Sequence, residues 1–264
     1  MGVLNVTPDS FSDGGHYFDP VAAIARAEAM AAEGADVIDI GGESTRPGAP
    51  PVSDDEQIDR VLPVIRGARS RGVSLPISID TRSARVAAAA LEAGADIVND
   101  ISGARADGDM PRLLAEWNVP FVIMHMQGTP ETMQAAPRYE DVVADVGAFF
   151  DERAQALAAA GVKVGEKMIV DPGIGFGKTL EHNLSLLRAA ATYGKKWPVI
   201  VGTSRKSFLG RLLNEPDPER RLIGTAATVA HSALTGVDMV RVHDVAEMRQ
   251  VVEVCWRLSL QGAP

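Results

Sequence analysis

The chain contains a single cysteine, Cys255, in 264 residues. One thiol cannot close an intramolecular disulfide, so a disulfide-stapled scaffold is excluded and a reducing cytoplasm is the expected location. Cys255 falls in a helix-like run and reads as a buried, inert thiol. Aromatics are also scarce: 7 Phe, 3 Tyr and 3 Trp, 5% of the residues. All-β folds lean on aromatic and β-branched side chains, whereas this alanine-rich chain favours a helix-rich α/β protein. Long apolar runs are missing, since no stretch approaches the roughly 18 residues a membrane-spanning helix needs. Positive charge is in deficit as well. With 26 Lys+Arg against 35 Asp+Glu the net charge is −9, so a nucleic-acid surface is disfavoured and any anion site must be local.

Short aliphatic runs alternate with longer segments of helical period. Strand candidates lie at residues 2–6, 37–40, 77–80, 97–100, 121–125, 168–171, 199–201 and 239–242. Helix candidates lie at 20–33, 54–71, 83–93, 109–117, 139–160, 180–192, 219–234 and 245–260. About eight βα units in this length match a (β/α)8 barrel better than a doubly wound sheet. Nothing interrupts the alternation, so one domain over 1–264 is expected. The phrases Glu33-Gly34-Ala35-Asp36, Gly94-Ala95-Asp96 and Gly236-Val237-Asp238 recur before strands, as αβ turns with a C-cap glycine would. Their aspartates sit at the stable face of such a barrel, where capping or solvation is favoured over catalysis.

In a barrel of this kind the active site lies where the strands end. Those exits carry Asn5, Asp39 with Glu43, Asp80, Asn99 with Asp100, His125, Asp171, Ser204 with Lys206, and Arg241 with His243. A single polar strand end in water needs no explanation. A polar residue at nearly every exit predicts a convergent pocket. Three long loops, 7–18, 43–52 and 127–137, are rich in glycine, proline and hydroxyls, in keeping with mobile covers on a rigid frame.

Two of these loops carry distinctive motifs: Asn5-Val6-Thr7-Pro8-Asp9-Ser10-Phe11-Ser12-Asp13-Gly14-Gly15 and Glu43-Ser44-Thr45-Arg46-Pro47-Gly48. They are followed by Ser78-Ile79-Asp80-Thr81, Asn99-Asp100-Ile101, Asp171-Pro172-Gly173-Ile174-Gly175-Phe176-Gly177-Lys178, Ser204-Arg205-Lys206-Ser207 and Arg241-Val242-His243-Asp244. Over almost its whole length the chain resembles the dihydropteroate synthases, pterin-binding TIM barrels.

That family joins 6-hydroxymethyl-7,8-dihydropterin pyrophosphate to 4-aminobenzoate and releases pyrophosphate, a step of folate biosynthesis and the target of sulfonamides. The resemblance implies a pterin seat of Asp80, Asn99, Ile101, Met124, Asp171, Gly202 and Lys206. Paired carboxylates and an amide suit the donors and acceptors of an aminopyrimidine edge. It implies a pyrophosphate clamp of Asn5, Arg46, Arg241 and His243, with Asn5 holding Mg²⁺, a cation content with oxygen ligands and retained water. It implies a 4-aminobenzoate seat of Phe11, Thr45, Pro47, Phe176 and Ser207, with Asp13 supporting the amine. The catalytic set is then Asp80, Asp171, Lys206, Arg241, His243 and Asp13. Small-molecule substrates and a homodimer packed through the last helices complete the implied picture, with neither nucleic acid nor membrane as partner.

Blander readings are set beside these. Residues 173–178 match neither phosphate-loop spacing. His125 is open between a structural role and a substrate contact, and His16, His182 and His231 lack zinc-ligand spacing. Arg205 is expected to form an ion pair that holds its loop. The sequence starts directly on its first strand, whereas family members carry a short upstream stretch that covers the bottom of the barrel. Two rival functions remain: a related barrel that passes a methyl group from methyltetrahydrofolate to a corrinoid, and a non-catalytic paralogue. The first needs neither Arg46, Ser207, His243 nor the Thr-Pro-Asp-Ser-Phe loop; turnover decides the second.

Overall fold

The computed structural model describes residues 1–7, 19–44 and 51–259. Along the chain run β1 (Gly2–Asn5), α1 (Pro20–Ala32), β2 (Ile38–Gly41), α2 (Asp54–Ser70), β3 (Ile77–Asp80), α3 (Ala84–Glu92), β4 (Ile97–Asp100), α4 (Met110–Trp117) and β5 (Phe121–Met124). There follow α5 (Val142–Ala159), α6 (Val164–Lys167), β6 (Met168–Asp171), α7 (Leu180–Ala189), β7 (Ile200–Gly202), α8 (Ser207–Leu213), α9 (Leu222–Thr235), β8 (Met239–Arg241) and α10 (Val245–Ser259).

The first six strands pair in parallel in sequence order, and β7 pairs with β8. Two bridges join these sheets, Val170 with Val199 and Gly2 with Val242. At the second seam the Val3 N–H donates to the Val242 carbonyl at 2.9 Å and the Val242 N–H to the Met1 carbonyl at 3.0 Å. The strands thus close into the (β/α)8 barrel expected from the sequence.

Strand periodicity sorts the side chains into two sets, because residues two apart share a face. Ile38, Ile40, Ile77, Ile79, Val98, Ile123, Val170 and Val201 point outward and pack with the helices in the main core. Met1, Val37, Ile97, Val122 and Ile200 form a separate cluster, with Ile169 and Met239 against it. That cluster fills the floor of the barrel interior. Two residues further along each strand, on the same inward face, stand Asp39, Asn99, Met124, Asp171, Gly202 and Arg241.

Helix starts follow local capping chemistry. Ser53 accepts from the Glu56 N–H, Ser83 from the Val86 N–H, and Asp141 from the N–H groups of Val143 and Ala144. Asp141 starts α5 three residues later than periodicity suggests and leaves Tyr139 outside the helix, where its hydroxyl donates to the Gly177 carbonyl at 2.7 Å. Helix 180–192 passes into a 3-10 turn at Ala190–Lys195, and 219–234 opens with one at Glu219–Arg221. The turn glycines behave as expected: Gly34, Gly94 and Gly236 have φ of 91°, 109° and 89°. Asp96 accepts from the Ile77 N–H at 2.8 Å and Asp238 from the Val199 N–H at 2.8 Å. Asp36 faces Arg249. All three aspartates fasten the lower rim. Cys255 is buried.

Candidate active site

At the upper rim the inward-facing residues form a charged ring. Strand register sets Asp80 beside Asn99 on one side and Gly41 on the other. Arg241 reaches across from β8: its Nε donates to Asp39 Oδ2 at 2.6 Å and its Nη2 to Asp80 Oδ2 at 2.8 Å. Asn99 Nδ2 donates to the same Asp39 oxygen at 3.0 Å. Four strand ends are thereby tied together without a loop residue.

Burial raises the Asp80 carboxyl to about 7; Arg241 opposes the shift, while Asp39, Asp100 and Glu43 add to it. Burial works against the Arg241 charge, but Asp39 and Asp80 together outweigh it and raise its pKa. Asp171 is also raised by burial, against the pull of Lys206 and a 2.7 Å bond from the Gly173 N–H. Asp100, one residue past Asn99 on the opposite face of β4, turns away from the ring and accepts from the N–H groups of Ser102 and Ala104 at 2.7 and 3.1 Å.

Lys206, at the N-cap of α8, lies opposite. Its ammonium donates to the Ile174 carbonyl at 2.5 Å and sits 4.7 Å from the centre of the Phe176 ring. Burial lowers its pKa to about 8 despite Asp171. Phe176 packs on a small apolar cluster of Ile101, Met124, Met126 and Met133. The charged ring is therefore flanked by an apolar cluster. Gly202 lies between the two cations: a Cβ there would stand 3.6 Å from Lys206 Nζ and 3.7 Å from Arg241 Cβ, ordinary contact distances.

The loop after β6 has little freedom. Gly173 has φ of 67°, and a Cβ would fall 2.0 Å from the His125 carbonyl oxygen. Lys178, 2% exposed, lies 3.0 Å from His125 Nδ1 and donates to the Phe176 carbonyl at 2.9 Å. Burial lowers Lys178 to about 7. His125 is buried edge-on against Phe149, and burial reinforced by Lys178 pushes it down to about 3. It is a neutral structural histidine behind the site. Gln134 donates to the Gly175 carbonyl at 2.7 Å, so the 127–137 loop braces the same segment.

On the β7 and β8 exits, the His243 N–H donates to Ser204 Oγ at 3.2 Å and His243 Nδ1 lies 3.0 Å from that oxygen. Arg205, at φ of 61°, pairs with Asp244 at 2.5 Å, the loop-holding ion pair expected of it. Ser207 is exposed as the first residue of α8, and Asn5 is half-buried at the end of β1. His182 caps α7 through Thr179, and His231 Nε2 lies 3.2 Å from the Leu187 carbonyl. Phe11, Asp13, Thr45, Arg46, Pro47 and His16 lie outside the described residues.

The structure brings Asp80, Asn99, Asp171, Gly202, Lys206 and Arg241 together, with Ile101, Met124 and Phe176 as the apolar wall. Sequence reading missed two members. Asp39 stood among the polar strand exits but received no role, although its spacing of two from Val37 places it on the inward face. Lys178 offered no signal, because its partner His125 is 53 residues away.

A closed barrel whose upper rim joins buried carboxylates to a guanidinium and an ammonium, beside an apolar wall, defines a site for a flat polar heterocycle and an anion. A family model described as pterin binding enzyme matches residues 1–243. The chain belongs to that family. Its relatives include dihydropteroate synthases: the one from Synechocystis is 46% identical over 97% of this chain and 90% of that protein. Two solved structures are similar throughout. Yersinia pestis dihydropteroate synthase in a sulfonamide drug complex has a TM-score of 0.91 and 42% identity, covering 98% of this chain and 93% of that one. Xanthomonas albilineans dihydropteroate synthase with 4-aminobenzoic acid also has a TM-score of 0.91 and 42% identity, covering 100% of this chain and 93% of that one.

Proposed function

We propose that the protein is a dihydropteroate synthase, a transferase of folate biosynthesis that forms 7,8-dihydropteroate from 6-hydroxymethyl-7,8-dihydropterin pyrophosphate and 4-aminobenzoate. The observation that carries this reading is the buried ring of Asp80, Asn99 and Asp171 facing Lys206 and Arg241 at the strand ends. The carboxylates and amide read the aminopyrimidine edge, Lys206 takes the carbonyl and ring-nitrogen side, and Ile101 and Met124 cover an apolar face.

The C–O bond to pyrophosphate breaks, and the amine lone pair then forms the new C–N bond and loses a proton. Positive charge that spreads into the pterin as the first bond stretches is stabilised by Asp80 and Asp171. Their attraction is stronger in the transition state than in the neutral ground state, which is the condition for acceleration. Arg241, His243 and Arg46 take up the charge of the departing pyrophosphate. Phe176, Ser207, Phe11, Thr45 and Pro47 seat 4-aminobenzoate, and Asp13 supports its amine. A neutral arylamine is already nucleophilic, so Asp13 need not be a strong base.

Mg²⁺ suits this site. Asn5, half-buried at the end of β1, would hold the ion through its neutral amide oxygen, a hard donor of the kind Mg²⁺ takes. When bound, the ion supplies charge neutralisation to the leaving pyrophosphate. No helix among the described residues is long and apolar enough to cross a membrane, in keeping with a cytoplasmic enzyme. Exposed Ile223 and Leu234 on α9 and Val254, Trp256 and Leu258 on α10 suit a homodimer through the last helices.

Mixing the purified protein with the dihydropterin pyrophosphate, Mg²⁺ and 4-aminobenzoate tests the proposal. Pyrophosphate release that depends on the arylamine is expected, with a sulfonamide raising the apparent KM for 4-aminobenzoate. Well-folded protein that releases none is not a synthase, and competition of the sulfonamide with the pterin instead would misplace the seat.

A further inference from the structure

Asp39 is an odd neighbour for a binding site. It is wholly inaccessible, its Oδ2 accepts from both Arg241 and Asn99, and its Oδ1 has no hydrogen-bond partner among the described residues. Strand register places it level with Ser78, two residues below Asp80. Asp80, 8% exposed, stands nearer the mouth and shares the same guanidinium. Arg241 thus has two carboxylate partners, one wholly buried, the other two residues nearer the strand exits.

Two partners for one cation matter when one of them is wanted elsewhere. An Arg241 held by Asp80 alone could release it to a substrate only by leaving a buried guanidinium unpaired, which is strongly unfavourable. With Asp39 in place the guanidinium keeps a counter-ion throughout. We propose that Asp39 is the permanent counter-ion of Arg241, a positioning residue that frees Asp80 to exchange the guanidinium for the pterin ring. This rests on the pterin reading of Asp80 given above.

The charges facing Asp80 are Arg241 from β8, Asp39 and Glu43 from β2 and its exit, and Asp100 from β4; Lys206 in turn senses Asp80 from the β7 exit. Replacing Asp39 by asparagine keeps the shape and removes one negative charge. Asp80 then becomes the sole carboxylate on Arg241. Its affinity for the guanidinium rises and its pKa falls.

The test uses Asp39→Asn in the full chain. In the ligand-free protein, carboxyl carbon NMR is expected to show the Asp80 midpoint falling from about 7 by roughly one unit. Calorimetry with the dihydropterin pyrophosphate should then give binding weakened about tenfold above neutral pH, with its acid limb moved to lower pH. The KM for 4-aminobenzoate should not change. A merely structural defect would not lower the acid limb. An unmoved Asp80 midpoint, or unchanged pterin affinity, overturns the inference. Should the variant fail to fold, crystals of the wild-type protein with the pterin substrate decide: Arg241 should keep Asp39 and lose Asp80, and the reverse overturns the inference. Absence of pterin binding to the wild-type protein would instead defeat the pterin reading, and the NMR arm, which needs no pterin, separates the two failures.

Discussion

Asp80 and Lys206 are shifted towards each other by the same cause, burial, acting on opposite charges. Burial disfavours the charged form, so the carboxylic acid rises to about 7 and the ammonium falls to about 8. In the proposed pterin seat the working pair is Asp80 ionised and Lys206 protonated. A raised carboxyl pKa means that the carboxylate exists above it, and a lowered ammonium pKa means that the cation exists below it. The kcat/KM for the pterin substrate should therefore rise with pH through about 7 and fall beyond about 8. A stopped series of initial rates at low pterin concentration across this range checks it, since kcat/KM reports groups of the free enzyme. A flat profile across both values would show that one of these groups is not needed in the stated form.

Among elements, the loop between β6 and α7 carries the sharpest constraint. Gly173→Ala would place a methyl group against the His125 carbonyl at a φ of 67°. Left-handed strain costs about 1–3 kcal/mol for a non-glycine residue, and the clash adds to it. We expect a lower melting temperature by calorimetry and a larger loss of activity, because the loop also orients Phe176 and Asp171; a variant with native stability and rate would refute this. The element scale also shows what was legible in the sequence. Short aliphatic runs placed Asp80, Asn99, Asp171 and Arg241 at strand ends, and strand ends are where a barrel puts its chemistry. Period-two spacing within those runs held the clue to Asp39. By contrast, Lys178 and His125 meet through a loop fold that no periodicity encodes, and Tyr139 lies outside its expected helix because Asp141 caps α5 two residues later. The seven-residue α8, which opens at Ser207, is too short to show a helical period.

At the scale of the whole molecule, a net charge of −9 surrounds a mouth where the cations of Arg241 and Lys206 stand beside the carboxylates of Asp39, Asp80 and Asp171. A bound anion would have to be held locally, as the acidic composition requires. The exposed apolar side chains are distributed as unevenly as the charge. Ile223 is 79% exposed on α9, and Trp256 is 51% exposed on the adjoining α10. A second copy covering this face would explain them. Sedimentation velocity should give a particle of twice the chain mass, shifted towards monomer by Ile223→Glu with the barrel intact by circular dichroism. A wild-type monomer at micromolar concentration would rule the pairing out.

Whether the charged ring is a pterin seat is decided most directly by titrating the dihydropterin pyrophosphate calorimetrically into the wild-type protein, Asp80→Ala and Asp171→Ala. The wild-type protein should bind, and each variant should lose binding by about tenfold or more, the scale set by removing a hydrogen-bonded charged partner worth ~1.5–3 kcal/mol. Folded variants that bind the pterin as tightly as the wild type would contradict the assignment.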